Sequence, residues 1–182
     1  VFDRQGNFWF SDFGKTHTRH SDRSGIYYAR PDGSRITEVS YGGTGYNGIG
    51  LSPDESTVYA AETHTGRLIA FDLAAPGEVV KGGKGGRWVS SSAHGAFFDS
   101  LAVQANGSVC VATIGLGRQG EGGVTTISPD GGAVFTRFPD RMVTNLCFGG
   151  ADMRDAYLTL SGTGQLIRTR WPEAGLKLNF NG

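Results

Sequence analysis

The stretch Asn47–Leu73, NGIGLSPDESTVYAAETHTGRLIAFDL, sets the reading of the whole chain. In it Leu51 is followed by a polar turn, Ser52-Pro53-Asp54-Glu55, and then by the β-branched and aromatic run Val58-Tyr59-Ala60. A second turn leads into Leu68-Ile69-Ala70-Phe71. Runs this short, bounded by Pro, Asp and Gly, predict antiparallel hairpins rather than helix.

The same phrase, an apolar residue, a polar turn and an apolar strand, recurs on both sides. It occurs at Phe2-(DRQGN)-Phe8-Trp9-Phe10, at Val103-(QANGS)-Val109-Cys110-Val111 and at Phe148-(GGADMRD)-Ala156-Tyr157-Leu158. Anchored on Phe2, Leu51, Val103 and Phe148, the steps are 49, 52 and 45 residues. Second hairpins are expected within each period at Gly25–Ser40, Gly66–Leu73, Gly123–Phe138 and Gly164–Trp171. Four strands in about 45–50 residues is the period of a β-propeller blade. The predicted fold is therefore all-β, about four blades of a larger propeller. The chain starts on a strand, in an incomplete first blade, so it is expected to be N-terminally truncated. No linker-like tract divides it, which predicts one partial propeller domain over residues 1–182, poorly stable or self-associating when isolated.

Composition agrees with this and narrows the function. Thirty of 182 residues are glycine, more than double the usual share of ~7 %. The longest glycine-free stretch, Ala133–Phe148, is broken by Pro139, so an ordinary helix has almost nowhere to fit. Lys plus Arg and Asp plus Glu number 17 each, and a neutral chain is not expected to bind nucleic acid, which demands a basic face. Apolar runs fall far short of the ~20 residues of a membrane span, so no membrane partner is expected. Cys110 and Cys147 are too few for a disulfide framework; they read as two buried thiols, with a single bridge left open. The compartment stays open, with the cytoplasm favoured over secretion.

Loops entering the innermost strands of a propeller carry functional side chains toward its axis. The residues four before Leu51, Val103 and Phe148 are Asn47, Asp99 and Thr144. Three polar residues at one register are more than burial requires. An amide and a carboxylate oxygen aimed at one axis suit a hard cation. Asn47-Gly48 is equally a hairpin-turn signal, and Asp99 is equally a turn cap, so both structural readings stay open on spacing alone.

These residues also carry a family resemblance. Asn47–Leu73 resembles the blade of the gluconolactonase/regucalcin (senescence marker protein) family that begins with a metal-binding Asn. FDRQGNFWFSDFG (Phe2–Gly14) resembles the blade before it, and FFDSLAVQANGSVCVAT (Phe97–Thr113) the blade after it, which supplies an aspartate. TNLCFGG (Thr144–Gly150) and YLTLSGTGQL (Tyr157–Leu166) are similar to the family's last motifs, and WPEAGLKLNF to a natural C-terminus. The resemblance implies a six-bladed propeller, a divalent cation (Ca, Zn, Mn or Mg) and hydrolysis of sugar lactones. By position it implies that Asn47 and Asp99 are metal ligands and that Asp99 is the catalytic acid/base. The family's Pro-Asp-Gly is Phe98-Asp99-Ser100 in this chain, and its first-blade Glu and the Asn expected just before Val1 are absent. The alternatives are a related propeller esterase or phosphotriesterase and a non-catalytic calcium-binding propeller.

Other motifs are read as structural. Gly115–Gly120 matches G-x-G-x-x-G but leads into a strand rather than a helix, so it is read as a hairpin loop and not a dinucleotide site. No G-x-S-x-G is present, which leaves a serine-hydrolase elbow without support. His17 and His20 read as part of a solvated loop, with zinc ligation or a substrate lid as the functional readings. His64 closes a strand, and His94 stands near the Asp99 loop as a candidate substrate contact. Lys81–Arg87 (KGGKGGR) reads as a mobile surface loop. Trp9, Tyr27, Trp88 and Trp171 read as packing between blades.

Overall fold

The computed structural model describes residues 1–115 and 120–181. Its regular structure is strand throughout, with two single 3-10 turns, Gly83–Gly85 and Ala93–Gly95, as the helical elements described. No described helix is long and apolar enough to cross a membrane.

Four antiparallel sheets follow one another along the chain. The first is β1 (Phe8–Asp12), β2 (Ser24–Ala29) and β3 (Ile36–Gly43), with Phe2 bridged to Phe8 beside β1. The second runs β4 (Tyr46–Leu51), β5 (Thr57–Glu62) and β6 (Arg67–Ala75), and β6 carries both the short β7 (Glu78–Val79) and β8 (Arg87–Ser91). The third is β9 (Phe97–Val103), β10 (Val109–Ile114), β11 (Gly123–Ile127) and β12 (Ala133–Arg137). The fourth is β13 (Val143–Gly149), β14 (Asp155–Leu160) and β15 (Gln165–Arg170). Two expected second hairpins, at Gly66–Leu73 and Gly164–Trp171, are single strands. The reason is local: Gly66 and Gly164 take positive φ, 60° and 67°, and so form the turns that enter β6 and β15, and no further turn residue interrupts the strands that follow.

The turns use the chemistry their composition announces. Asp3 Oδ1 accepts from the Gln5 and Asn7 amides, Asp54 Oδ1 from the Ser56 amide at 3.1 Å, and Asn106 Oδ1 from the Ser108 amide at 2.9 Å. Each short polar side chain replaces a backbone partner that the reversing chain cannot supply.

The core is three layers, each between neighbouring sheets. Strand alternation sends successive residues to opposite faces. Val58 and Ala60 of β5 join Trp9, Ile26 and Val39 of the first sheet, while Ala61 joins Phe98, Leu101, Val109 and Val111 of the third. From β10, Cys110 and Ala112 turn the other way, to Leu146, Leu158, Leu160 and Trp171 of the fourth sheet. Trp9 and Trp171 thus pack between sheets as expected. Trp88 does not: it is 65 % exposed, its indole N–H donating to Ser91 Oγ at 3.0 Å. The cysteines are both free, and only Cys110 is buried, its thiol pushed up to about 11 by that burial; Cys147 is exposed because it faces outward on β13.

The first strands of successive sheets lie side by side, β4 against β9 and β9 against β13. Glycine permits the first contact. A Cβ on Gly48 would stand 2.5 Å from the Leu101 backbone nitrogen, and one on Gly50 would meet Leu101 Cδ1 and Val103 Cγ2. The 81–87 tract is not a free loop either; Ser40 Oγ donates to the Lys84 carbonyl at 2.5 Å.

Residues 172–181 leave β15 and run as a strap over the far ends of these first strands. Ala105 N–H donates to the Ala174 carbonyl and Leu176 N–H to the Val103 carbonyl, each at 2.9 Å. Further on, Asn179 Nδ2 donates to Glu55 Oε1 at 2.6 Å and to the Phe2 carbonyl at 3.1 Å.

Candidate functional site

At the other end of the first strands, β4, β9 and β13 share one irregularity. Tyr46 pairs with Glu62 and Ile49 with Ala60, so Asn47 and Gly48 together face Ala61. Phe98 pairs with Thr113 and Leu101 with Val111, so Asp99 and Ser100 together face Ala112. Val143 pairs with Leu160 and Asn145 with Thr159, which leaves Thr144 as the extra residue. Each strand therefore carries one additional residue at the same place. Such a bulge breaks the alternation of faces and re-aims the side chain it holds. The three residues picked out by register are the three bulged ones.

Two of them meet. Asn47 Nδ2 donates to Asp99 Oδ1 at 2.5 Å, although 52 residues separate them. Both side chains are half-buried. Burial pushes the Asp99 carboxyl above the usual carboxylate range, and the Asn47 hydrogen bond opposes this. Thr144 does not join them; its hydroxyl is within hydrogen-bond distance of Thr159 Oγ1 at 3.0 Å and Ser161 Oγ at 2.6 Å on its own sheet.

Sequence reasoning missed the groups that fix Asn47. Ser11 Oγ donates to the Asn47 carbonyl at 2.5 Å, and the buried Thr63 hydroxyl lies 3.4 Å from Asn47 Nδ2. Thr63 follows directly on the strand that opposes the bulge, which was the available signal. Nothing in the spacing of Ser11 marked it. Glu62, beside them, is structural: it accepts from the Thr44 amide at 2.7 Å and from the Thr65 hydroxyl at 2.5 Å. The exposed His64 ring stands between Phe13 and Phe97, with centroids 5.3 and 6.2 Å away, and rims the pair. Residues 116–119 of the G-x-G-x-x-G segment lie outside the described residues, as does the side chain of His94.

An amide and a carboxylate converging at a half-buried point are a donor set for a hard cation, and turning the Asn47 amide about its χ2 presents its oxygen in place of its nitrogen. The family model for the SMP-30/gluconolactonase/LRE-like region matches residues 1–162. This chain belongs to that family. Among its relatives, a lactonase drp35 of Staphylococcus haemolyticus is 32 % identical over 119 residues, covering 65 % of this chain and 35 % of the relative. Similar solved structures include regucalcin, a calcium-binding protein of Agrobacterium tumefaciens (TM-score 0.73, 21 % identity, 97 % of this chain and 63 % of that one). A gluconolactonase of Xanthomonas campestris also superposes, at a TM-score of 0.69 and 21 % identity, over 92 % of this chain and 55 % of that one. The chain thus spans about a third of the drp35 relative's length and under two thirds of these solved structures. Family members of this kind include lactonases, and their fold is the one described above.

Proposed function

We propose that this chain is part of a divalent-cation-dependent lactonase that opens sugar lactones, with Asn47 and Asp99 as ligands of the cation and Asp99 as the catalytic acid/base. In this reading the four sheets are about four blades of a six-bladed β-propeller, and residues 1–182 form one partial propeller domain. The observation that carries the proposal is the Asn47–Asp99 contact, made by two bulges at one register of adjacent strands.

A cation bound there supplies Lewis acidity toward the lactone carbonyl. The chain's own residues do the rest. Asp99 accepts a proton from the attacking water on a carboxylate oxygen, and returns it to the ring oxygen when the acyl–oxygen bond breaks. Lactone and water thereby become one hydroxy acid, with no net proton change at Asp99. Ser11 holds the Asn47 backbone in place throughout, while the Asn47 amide orients the Asp99 carboxylate until it turns its oxygen to a cation. The hydrophobic layers on both sides of β9 keep the carboxylate half-desolvated, which raises its basicity in the metal-free chain; a bound cation would lower it again, and would offset part of that loss by making the attacking water more acidic.

The test is ring opening of glucono-δ-lactone with Ca²⁺, Zn²⁺, Mn²⁺ or Mg²⁺ added in turn. Asp99→Asn is expected to bring the rate to background. Asn47→Ala is expected to weaken metal affinity, with excess metal restoring part of the rate. Full activity in Asp99→Asn overturns the assignment. Turnover of an aryl ester or a phosphotriester but of no lactone would instead give the esterase reading, and calcium binding without turnover the non-catalytic one.

A further inference from the structure

We propose that His17, His20 and Asp22 form a separate site for a first-row transition-metal ion, Zn²⁺ in the first instance, on the connection between β1 and β2. The proposal is independent of the lactonase reading and uses none of its residues.

The connection is built, not loose. Asp12 Oδ1 accepts from the Gly14 amide at 3.1 Å, and Gly14 takes a positive φ of 78°. A Cβ there would lie 2.8 Å from the Asp22 carbonyl, so glycine lets the two ends of the connection touch. A small antiparallel hairpin follows. Asp22 N–H donates to the Lys15 carbonyl, Thr16 bridges Ser21, and His17 N–H donates to the His20 carbonyl at 2.8 Å. Thr18 and Arg19 form its tip.

That register decides which side chains share a face. Directly opposed residues point the same way, and the face repeats every second residue. His17 and His20 are opposed across the tip; Asp22 is two residues beyond His20. All three therefore project together. The imidazole centroids are 4.3 Å apart, His17 Nε2 lies 3.3 Å from Asp22 Oδ2, and one ligand atom from each residue lies within 4.8 Å of the others. Lys15 shares the face, yet the Asp22 carboxylate turns to His17 rather than to the ammonium across from it.

Two imidazoles and one carboxylate are the ligand set of many zinc and other transition-metal centres, which keep the remaining positions for water. Ligands about 2.1 Å from such an ion stand about 3–3.5 Å from one another. All three side chains are exposed and start within 4.8 Å of one another, so no packing opposes their rotation toward that spacing. The hairpin lies at the Asn47–Asp99 end of the sheets, because Phe13 at its base packs on His64, next to Thr63. A bound ion would pin the hairpin at that rim.

Calorimetric titration of the full chain with Zn²⁺, in excess Ca²⁺ to occupy oxygen-rich sites, tests this. Wild type is expected to take up one Zn²⁺ at the hairpin, counted apart from any held by Asn47 and Asp99. His17→Ala and His20→Ala are each expected to weaken that uptake by more than about tenfold, since loss of even an outer-shell partner costs as much. Asp99→Asn is expected to leave it unchanged. Far-UV circular dichroism checks that the hairpin variants keep their strand content. No uptake by wild type, uptake that survives in both histidine variants, or uptake that disappears in Asp99→Asn would each overturn the proposal.

Discussion

Asp99 is a carboxylate held where water reaches it only in part, with the Asn47 amide as a hydrogen-bond donor. Burial raises its pKa above the carboxylate range, so the folded state holds the proton more tightly than the unfolded chain. Ionisation therefore costs stability. The cost is absent below the unfolded value of about 3.9 and grows as pH rises through the folded value. Without metal, Asp99→Asn is expected to melt at or slightly above wild type at pH 7, and the two should converge near pH 3. Calcium is expected to raise the melting temperature of wild type alone, by mass action on the folded state. Thermal melts at the two pH values, with and without Ca²⁺, check both statements. A variant that melts well below wild type at pH 7 would mean that the carboxylate is held by a favourable partner.

At the scale of elements, the bulges bring the pair together and Gly48 lets them approach. A Cβ at Gly48 would press on backbone atoms of Ser100 and Leu101, which cannot rotate away as a side chain does. Gly48→Ala is expected to destabilise by about 1–3 kcal/mol and to lower metal affinity, because β4 must withdraw from β9; urea unfolding and calcium titration measure the two effects. The repeat spacing made the sheets legible, and four polar turns announced four hairpins. It also located Asn47 and Asp99, because counting back from the apolar anchors landed on the bulged position of each first strand. The bulges themselves were not legible, since they arise from how two strands pair and not from either strand alone. Ser11 and Thr63 escaped for the same reason: their partner is 36 or 16 residues away, and only the packed sheets join them. Trp88 was misplaced because strand spacing gives a face without saying whether another sheet covers it.

At the scale of the whole molecule, the chain is a row of locally paired sheets joined by cores between neighbours. Each hairpin closes a short loop, whereas the strap at residues 172–181 joins the last sheet to the second and to Phe2. The Asn179–Phe2 hydrogen bond spans 177 residues. Closing so long a loop is entropically the most demanding step, and long-range contacts of this kind tend to form after the local ones. The strap should then be absent from the folding transition state. Asn179→Ala, which removes the hydrogen bonds to the Glu55 carboxylate and the Phe2 carbonyl, together worth about 2 kcal/mol, is expected to leave the refolding rate unchanged and to speed unfolding about thirtyfold. Stopped-flow refolding and unfolding in urea check this, and a slowed refolding limb would place the strap in the nucleus instead. A bond with little share in how quickly the chain folds would thus govern how long it stays folded.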